Sequence, residues 1–328
     1  MTRALTTRSN RQALSSSEPG AAKYAKASKA ANTQRAYRAA WNEFTAWAAG
    51  RGARALPAEA STVVDYLGSL ADAGARVSTI SVKRAAISFA HRTAGEADPT
   101  SAEAVRMVMA GISRKLGRAA QKKAPVTLDD LRAVMAALPA DSLAGQRDRA
   151  LLLVGWAGAF RRSELVALDV ADLRLGAELT VAVRRSKTDQ EGRGMLKVIP
   201  ALEEKDLCPV TALRGWLNAA QIKSGPVFRR IDRWGHMRAE RLTAQSVALV
   251  VKAACQAAGL DARAFSGHSL RAGYVTAAAQ GGADALEIAE QTGHKSLEVL
   301  RGYIRDTGRL SRRATLAAFG RAGHEAHD

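Results

Sequence analysis

Apolar residues recur at helical spacing through almost all of this 328-residue chain, and a β pattern interrupts them clearly at one place only. Glu178–Arg185 and Met195–Pro200 alternate or are rich in β-branched residues on either side of a polar, glycine-containing loop, Ser186–Gly194. That arrangement predicts an antiparallel hairpin with an exposed tip. The remaining periodic segments predict helix, so the expected fold class is mainly α (α+β), with one small antiparallel sheet in a mostly helical chain.

The helices fall into two groups. From Asn32, Tyr37, Trp41, Phe44 and Trp47 recur at i, i+4, i+7 and i+10, one stripe of a helix that faces a core rather than a partner's bases. A second helix starts near Ala58 after Pro57 and ends at Gly74. A third is capped by Ser78 and Thr79, with Ile80, Ala86, Ile87 and Ala90 inward and Lys83, Arg84 and Arg92 outward. A fourth follows Pro99. The pattern breaks at Gly117–Pro125 and restarts at Thr127, whose partner three residues on, Asp130, completes a capping-box spacing. Further helices are predicted at Leu128–Leu138, Gln146–Phe160, Pro209–Ala220, Thr243–Ala258, Leu270–Gln280, Ala283–Gln291, Leu297–Tyr303 and Ser311–Phe319. Expected domains are therefore a disordered tail over 1–29, a helical unit over 30–116, a basic linker over 117–126 and a larger unit over 127–328.

Charge narrows the partner. Lys and Arg number 49 against 31 Asp and Glu, a net charge of +18, and residues 1–125 hold 20 of the basic and only 8 of the acidic side chains. Between Glu103 and Asp129 lie Arg106, Arg114, Lys115, Arg118, Lys122 and Lys123 with no acid among them, a pattern suited to phosphates. No long apolar run or apolar leader argues for a membrane, so the expected setting is cytoplasmic and DNA-associated. Cys208 and Cys255 have neither metal-ligand nor disulfide spacing and are expected to be inert core thiols.

Four separated pieces of the second unit carry candidate chemistry: Arg161 in Gly158-Ala159-Phe160-Arg161-Arg162-Ser163-Glu164-Leu165; Lys187 in Arg185-Ser186-Lys187-Thr188; His268 and Arg271 in Gly267-His268-Ser269-Leu270-Arg271; and Gly293-His294, with Tyr303 nine residues on. Each residue alone has an ordinary explanation, as a helix-end charge, a surface lysine or a core tyrosine. Their joint order is the signal. Two arginines offer planar forks to non-bridging phosphate oxygens where a transition state gains negative charge, and no cluster of acids, histidines or cysteines has a metal-binding form.

In this set of motifs the chain resembles the tyrosine recombinase (phage integrase) family over about residues 30–320. The resemblance implies a helical core-binding, DNA-clamping N-terminal domain and a catalytic domain over 127–328 in which Arg161, Glu164, Lys187, His268, Arg271 and His294 serve the nucleophile Tyr303. It implies a site-specific recombinase that cuts and rejoins DNA through a 3′-phosphotyrosyl link, needs no metal or ATP and has no cofactor. Lys187 would protonate the leaving 5′ hydroxyl, and His268 and His294 would donate to the phosphate, with His268 also able to take the phenol proton. Glu164 would orient His268 or the arginine cluster; its plainer reading is a surface i, i+3 ion pair. The partners implied are double-stranded DNA carrying a specific site and three further copies, a homotetramer joined by exchange of a C-terminal helix at about 310–320. Thr33, Arg35, Thr79 and Lys83 in the first unit, and Arg230, Arg233 and Gln245 in the second, are the nominated DNA contacts. The complete set disfavours a DNA-binding regulator that has lost cutting, and the helical first unit with the terminal helix disfavours a type IB topoisomerase.

Overall fold

The computed structural model describes residues 31–117, 123–184 and 194–293. Two compact units divide the chain, Met1–Gln121 and Lys122–Asp328. The tail over 1–29, the centre of the basic linker, the hairpin tip and the helices expected beyond Gly293 lie outside the described residues.

In the first unit, helix α1 (Ala31–Ala49) carries the aromatic stripe. Its Phe44 and Trp47 meet Tyr66 of α2 (Ala60–Asp72) at ring-centroid separations of 5.0 and 5.1 Å, and Tyr37 meets Phe89 of α3 (Val77–Ala94) at 5.5 Å. The stripe is core, as its spacing predicts, and α4 (Glu103–Leu116) completes it with Val105, Met109 and Ile112. His91 is fully buried between them. Its Nδ1 lies 2.8 Å from the Ile87 carbonyl and its Nε2 accepts from the Ala58 amide at 2.9 Å, an arrangement that fits the neutral Nδ1–H tautomer. Two expectations are corrected here. Ser78 and Thr79 do not cap α3, which begins one residue earlier at Val77 after an uncapped Arg76. Lys83 does not project into solvent: its side chain is 13% exposed and paired with Glu43 of α1, because the facing carboxylate offers the ammonium a partner at the helix seam.

The second unit opens with α5 (Leu128–Ala137), where the capping box forms: Thr127 Oγ1 accepts from the Asp130 amide at 3.1 Å, and the Asp130 carboxylate accepts from the Thr127 amide at 2.9 Å. Helix α6 (Leu143–Ala157) lies at the centre, with Ala150–Gly155 all buried. A short α7 (Arg162–Ala167) follows, then α8 (Pro209–Ala219), α9 (Ala244–Ala257), α10 (Ser269–Gly281) and α11 (Ala285–Thr292). Helices α7, α8 and α10 pack on α6, which accounts for the absence of a polar face along it. Cys208 and Cys255 are free and buried, and no helix of the described residues is long and apolar enough to cross a membrane.

The predicted hairpin is present as β2 (Glu178–Val183) and β3 (Met195–Pro200), paired with Leu179 opposite Ile199, Val181 opposite Lys197 and Val183 opposite Met195. It is not the only β structure. A short β1 (Leu173–Leu175) adds to β2, and a second antiparallel pair, β4 (Arg229–Ile231) and β5 (Met237–Arg241), forms a separate ribbon. That ribbon is too rich in charge to alternate in hydrophobicity. Its turn is held by Asp232, which accepts from the amides of Trp234 and His236 at 3.0 Å each and from Arg238 at 2.7 Å.

One glycine fixes how α10 meets the start of the unit. A Cβ on Gly273 would lie 1.8 Å from the Val126 carbonyl oxygen and 2.8 Å from Trp156 Nε1, and that indole already donates to the same oxygen at 2.9 Å. Both neighbours are fixed, one by being backbone and the other by its hydrogen bond. Gly273→Ala is expected to cost about 1–3 kcal/mol of unfolding free energy, read from urea denaturation, and a variant of unchanged stability would disprove the close approach.

Candidate active site

The site is built on the turn between α6 and α7. Ala159 takes a left-handed conformation, φ 47°, and Phe160 folds beneath the turn so closely that a Cβ on Gly158 would lie 2.1 Å from its ring. The turn has two products. It presents Arg161 as the N-cap residue just before α7, and it aims the Ala159 carbonyl at α10, where Arg271 Nη1 donates to it at 2.8 Å. Arg271, in the first turn of α10 and 6% exposed, is thereby fixed beside Arg161 although 110 positions separate them in sequence.

Glu164 holds Arg161 from below. Its carboxylate accepts from the Arg161 backbone amide at 2.9 Å and from Nη1 at 2.6 Å, and its side chain is 3% exposed. A buried, two-point contact of this kind is not a surface ion pair, and the group it orients is the arginine. Arg161 Nη2 also reaches the Gly293 carbonyl at 3.5 Å. The neighbouring Arg162 runs its stem over Gly267, where a Cβ would lie 2.0 Å from Arg162 Cδ, so a side chain before His268 would displace that arginine from its place. His268 sits exposed at the start of α10, its amide bound to Ser266 Oγ at 3.2 Å.

A lysine absent from the sequence-based candidates completes the cluster. Lys197 of β3 is 1% exposed, its Nζ donates to the Gln291 carbonyl and lies 5.1 Å from the centre of the Phe160 ring. Burial pushes its ammonium down to about 7; Arg271 and Arg161 act in the same direction, against the pull of Glu164. The strand's parity hid it. Leu196 and Val198 face outward, 71% and 47% exposed, while Lys197 shares the inner face with Ile199, the reverse of what hydrophobic alternation predicts. The available signal was its place opposite Val181, between two inward apolar pairs.

Lys187, His294 and Tyr303 lie outside the described residues. Of the nominated DNA contacts, Arg35, Thr79, Arg230, Arg233 and Gln245 are exposed and Thr33 is half-buried, whereas Lys83 is taken up by Glu43. Arg233 stacks 4.2 Å over the ring of Trp234, itself 64% exposed at the tip of the β4–β5 ribbon. Among the described residues no group of three or more His, Cys, Asp or Glu is placed to hold a metal ion.

The buried lysine has a consequence for stability. Unfolded, its amine keeps the proton up to an ordinary value of 10.5; folded, it releases it near 7. Between those values the unfolded chain binds more protons, so this group makes stability rise with pH from about 7 upward and works against folding below it. Denaturation midpoints taken from pH 7 to 9 should carry that upward component in the wild type and lose it in Lys197→Met. An unchanged slope in the variant would show that the lysine is not titrating in that range.

Residues 125–309 match the phage integrase family. An integrase/recombinase XerD homologue of Selenomonas ruminantium is 41% identical over 281 residues, 84% of this chain and 82% of that protein. The Cre recombinase of Escherichia phage P1 is 25% identical over 80% of each chain. Among solved structures, the fold is similar to the XerH site-specific recombinase in a post-cleavage complex with palindromic difH substrate (TM-score 0.56, 17% identity, covering 79% of this chain and 72% of that one). It is similar also to a lambda integrase (75–356) dimer bound to a COC′ core site (TM-score 0.56, 19% identity, 87% and 93%). The chain belongs to the phage integrase family: it is a tyrosine recombinase, an enzyme of site-specific DNA recombination that breaks and rejoins DNA strands.

Proposed function

We propose that this chain exchanges strands between two copies of a specific DNA site through a covalent 3′-phosphotyrosyl link to Tyr303, without metal or ATP, as a homotetramer on DNA. The observation that carries the reading is the arginine pair: Arg161 and Arg271 are fixed in one place by the Ala159 turn, with Glu164 behind the first. Such a pair grips the two non-bridging oxygens of a phosphodiester and stabilises the charge added when phosphorus becomes five-coordinate.

The Tyr303 oxygen attacks phosphorus, the bond to the 5′ oxygen breaks, and the phosphodiester becomes a phosphotyrosyl ester of equal bond count. His268, exposed one turn before Arg271, accepts the phenol proton, and Lys187 gives one to the departing 5′ hydroxyl; His294 donates to the phosphate. Attack by a 5′ hydroxyl from the second site reverses the step and rejoins the strand. The ester stores the bond energy, so ATP has no part in it.

DNA is the partner that suits the net charge of +18 and the membership of a recombinase family. In this reading residues 30–116 form a core-binding clamp, 117–126 the linker along the backbone, and 127–328 the catalytic domain, whose helix at about 310–320 docks on the neighbouring subunit. Arg35, Thr79, Arg230, Arg233 and Gln245 meet DNA directly, joined by Thr33 where its half-buried hydroxyl reaches, and Lys83 does so by leaving Glu43.

A nicked substrate carrying the protein's own bound site tests the chemistry. Wild type is expected to become covalently joined to DNA in chelator, and Tyr303→Phe to bind without joining. Arg271→Ala should slow adduct formation by about 10²–10³-fold with smaller loss of binding. A wild-type protein that binds its site and forms no adduct would rule the mechanism out. Products joined between two sites, rather than relaxed circles, separate exchange from swivelling.

A further inference from the structure

The end of α11 is tied from three directions. Lys197 Nζ, on the buried face of β3, donates to the Gln291 carbonyl in its last turn. Gln291 Nε2 lies 3.2 Å from the carbonyl of Ala157, the last residue of α6, and 3.4 Å from that of Val198 in β3. Arg161 reaches the carbonyl of Gly293, which ends the helix in a left-handed turn, φ 67°, so close to β3 that a Cβ there would lie 3.1 Å from Met195 sulfur. Carbonyls at a helix C-terminus carry partial negative charge and lack intrahelical donors, so cations are the groups that cap them best. The next residue in the chain is His294, and Tyr303 follows nine residues later.

A lysine is a costly way to fill this space. Its charge is desolvated beside two arginines, and a methionine of similar shape would pack there without that cost. What methionine lacks is the donor to Gln291.

Building on the recombinase reading above, we propose that Lys197 is a positioning residue for strand cleavage: its buried amine fixes the end of α11 against the Arg161–Arg271 pair and so sets where the chain bearing His294 and Tyr303 leaves the phosphate site. The residue does not touch DNA in this role. It acts through main-chain atoms, coupling the phosphate-binding arginines to the segment that supplies the nucleophile.

The test uses the full chain with Lys197→Met and Lys197→Arg. Covalent adduct formation on the nicked site should slow about 100-fold in the Met variant while DNA affinity stays within about twofold, and the Arg variant, which keeps donor and charge, should recover about tenfold of that loss. Peptide-level hydrogen exchange, read without DNA, should quicken over 285–293 in the Met variant and stay unchanged over the α6 core, 146–157. Lys197→Gln carries the same comparison if the Met variant does not fold. The proposal is overturned by a Met or Gln variant that cuts within about threefold of wild type, by slowing that merely tracks lost affinity, or by exchange that quickens equally in α6. Wild type failing to form an adduct overturns the recombinase mechanism as well, whereas wild type and Met variant cutting alike overturns the positioning role alone.

Discussion

Two arginines and a lysine do not share a dry pocket without an anion near them, and Glu164 is the carboxylate that the described residues put there. It is buried, it takes two hydrogen bonds from one residue, and it is the opposite charge felt by Lys197. Much of the second unit is arranged around that fact. The Ala159 turn, the entry of α10, the inward face of β3 and the end of α11 each bring one cation or one carbonyl to the same small volume. Among the described residues one carboxylate faces two guanidinium charges and an amine that keeps its proton only up to about 7, which leaves the local balance positive. A site of this kind is stabilised by the arrival of a phosphate, which supplies the missing negative charge where desolvation makes it count most.

Much of this was legible in the sequence because the ordered motifs fall at structural transitions. Arg161 stands where α6 gives way to α7, and His268 and Arg271 where α10 begins, places at which backbone groups need partners and side chains of opposed charge settle naturally. The capping box at Thr127 and the aromatic stripe of α1 were readable for the same reason: each depends on neighbours within a few residues. The β2–β3 hairpin announced itself through β-branched residues.

What escaped notice depends on tertiary context. The β4–β5 ribbon is a charged hairpin whose stability comes from Asp232 gathering two amides and an arginine, and no hydrophobic pattern encodes that. Lys83 looked like an outward cation because its partner, Glu43, lies on another helix 40 residues away. Lys197 was hidden by parity. Leu196 and Val198 are the residues a hydrophobicity rule would turn inward, yet they stay exposed while Lys197 faces the interior and donates to the Gln291 carbonyl. Glu164 was ambiguous between ornament and support until its burial and its two-point hold on Arg161 were visible.

The anchor of Arg271 is a main-chain oxygen, that of Ala159, and the atom would be present whatever residue stood there. Substitution at position 159 therefore acts through the shape of the turn and through the packing around a fully buried side chain, not through loss of the anchor atom. Chain length is the stricter constraint. A single residue inserted or removed between the end of α6 and Arg161 would rotate the carbonyl away from α10 and carry the Arg161–Glu164 pair away from Arg271, parting the two arginines while leaving every candidate side chain in the gene. Along this stretch the count of residues is held as strictly as Gly158, whose place admits no side chain.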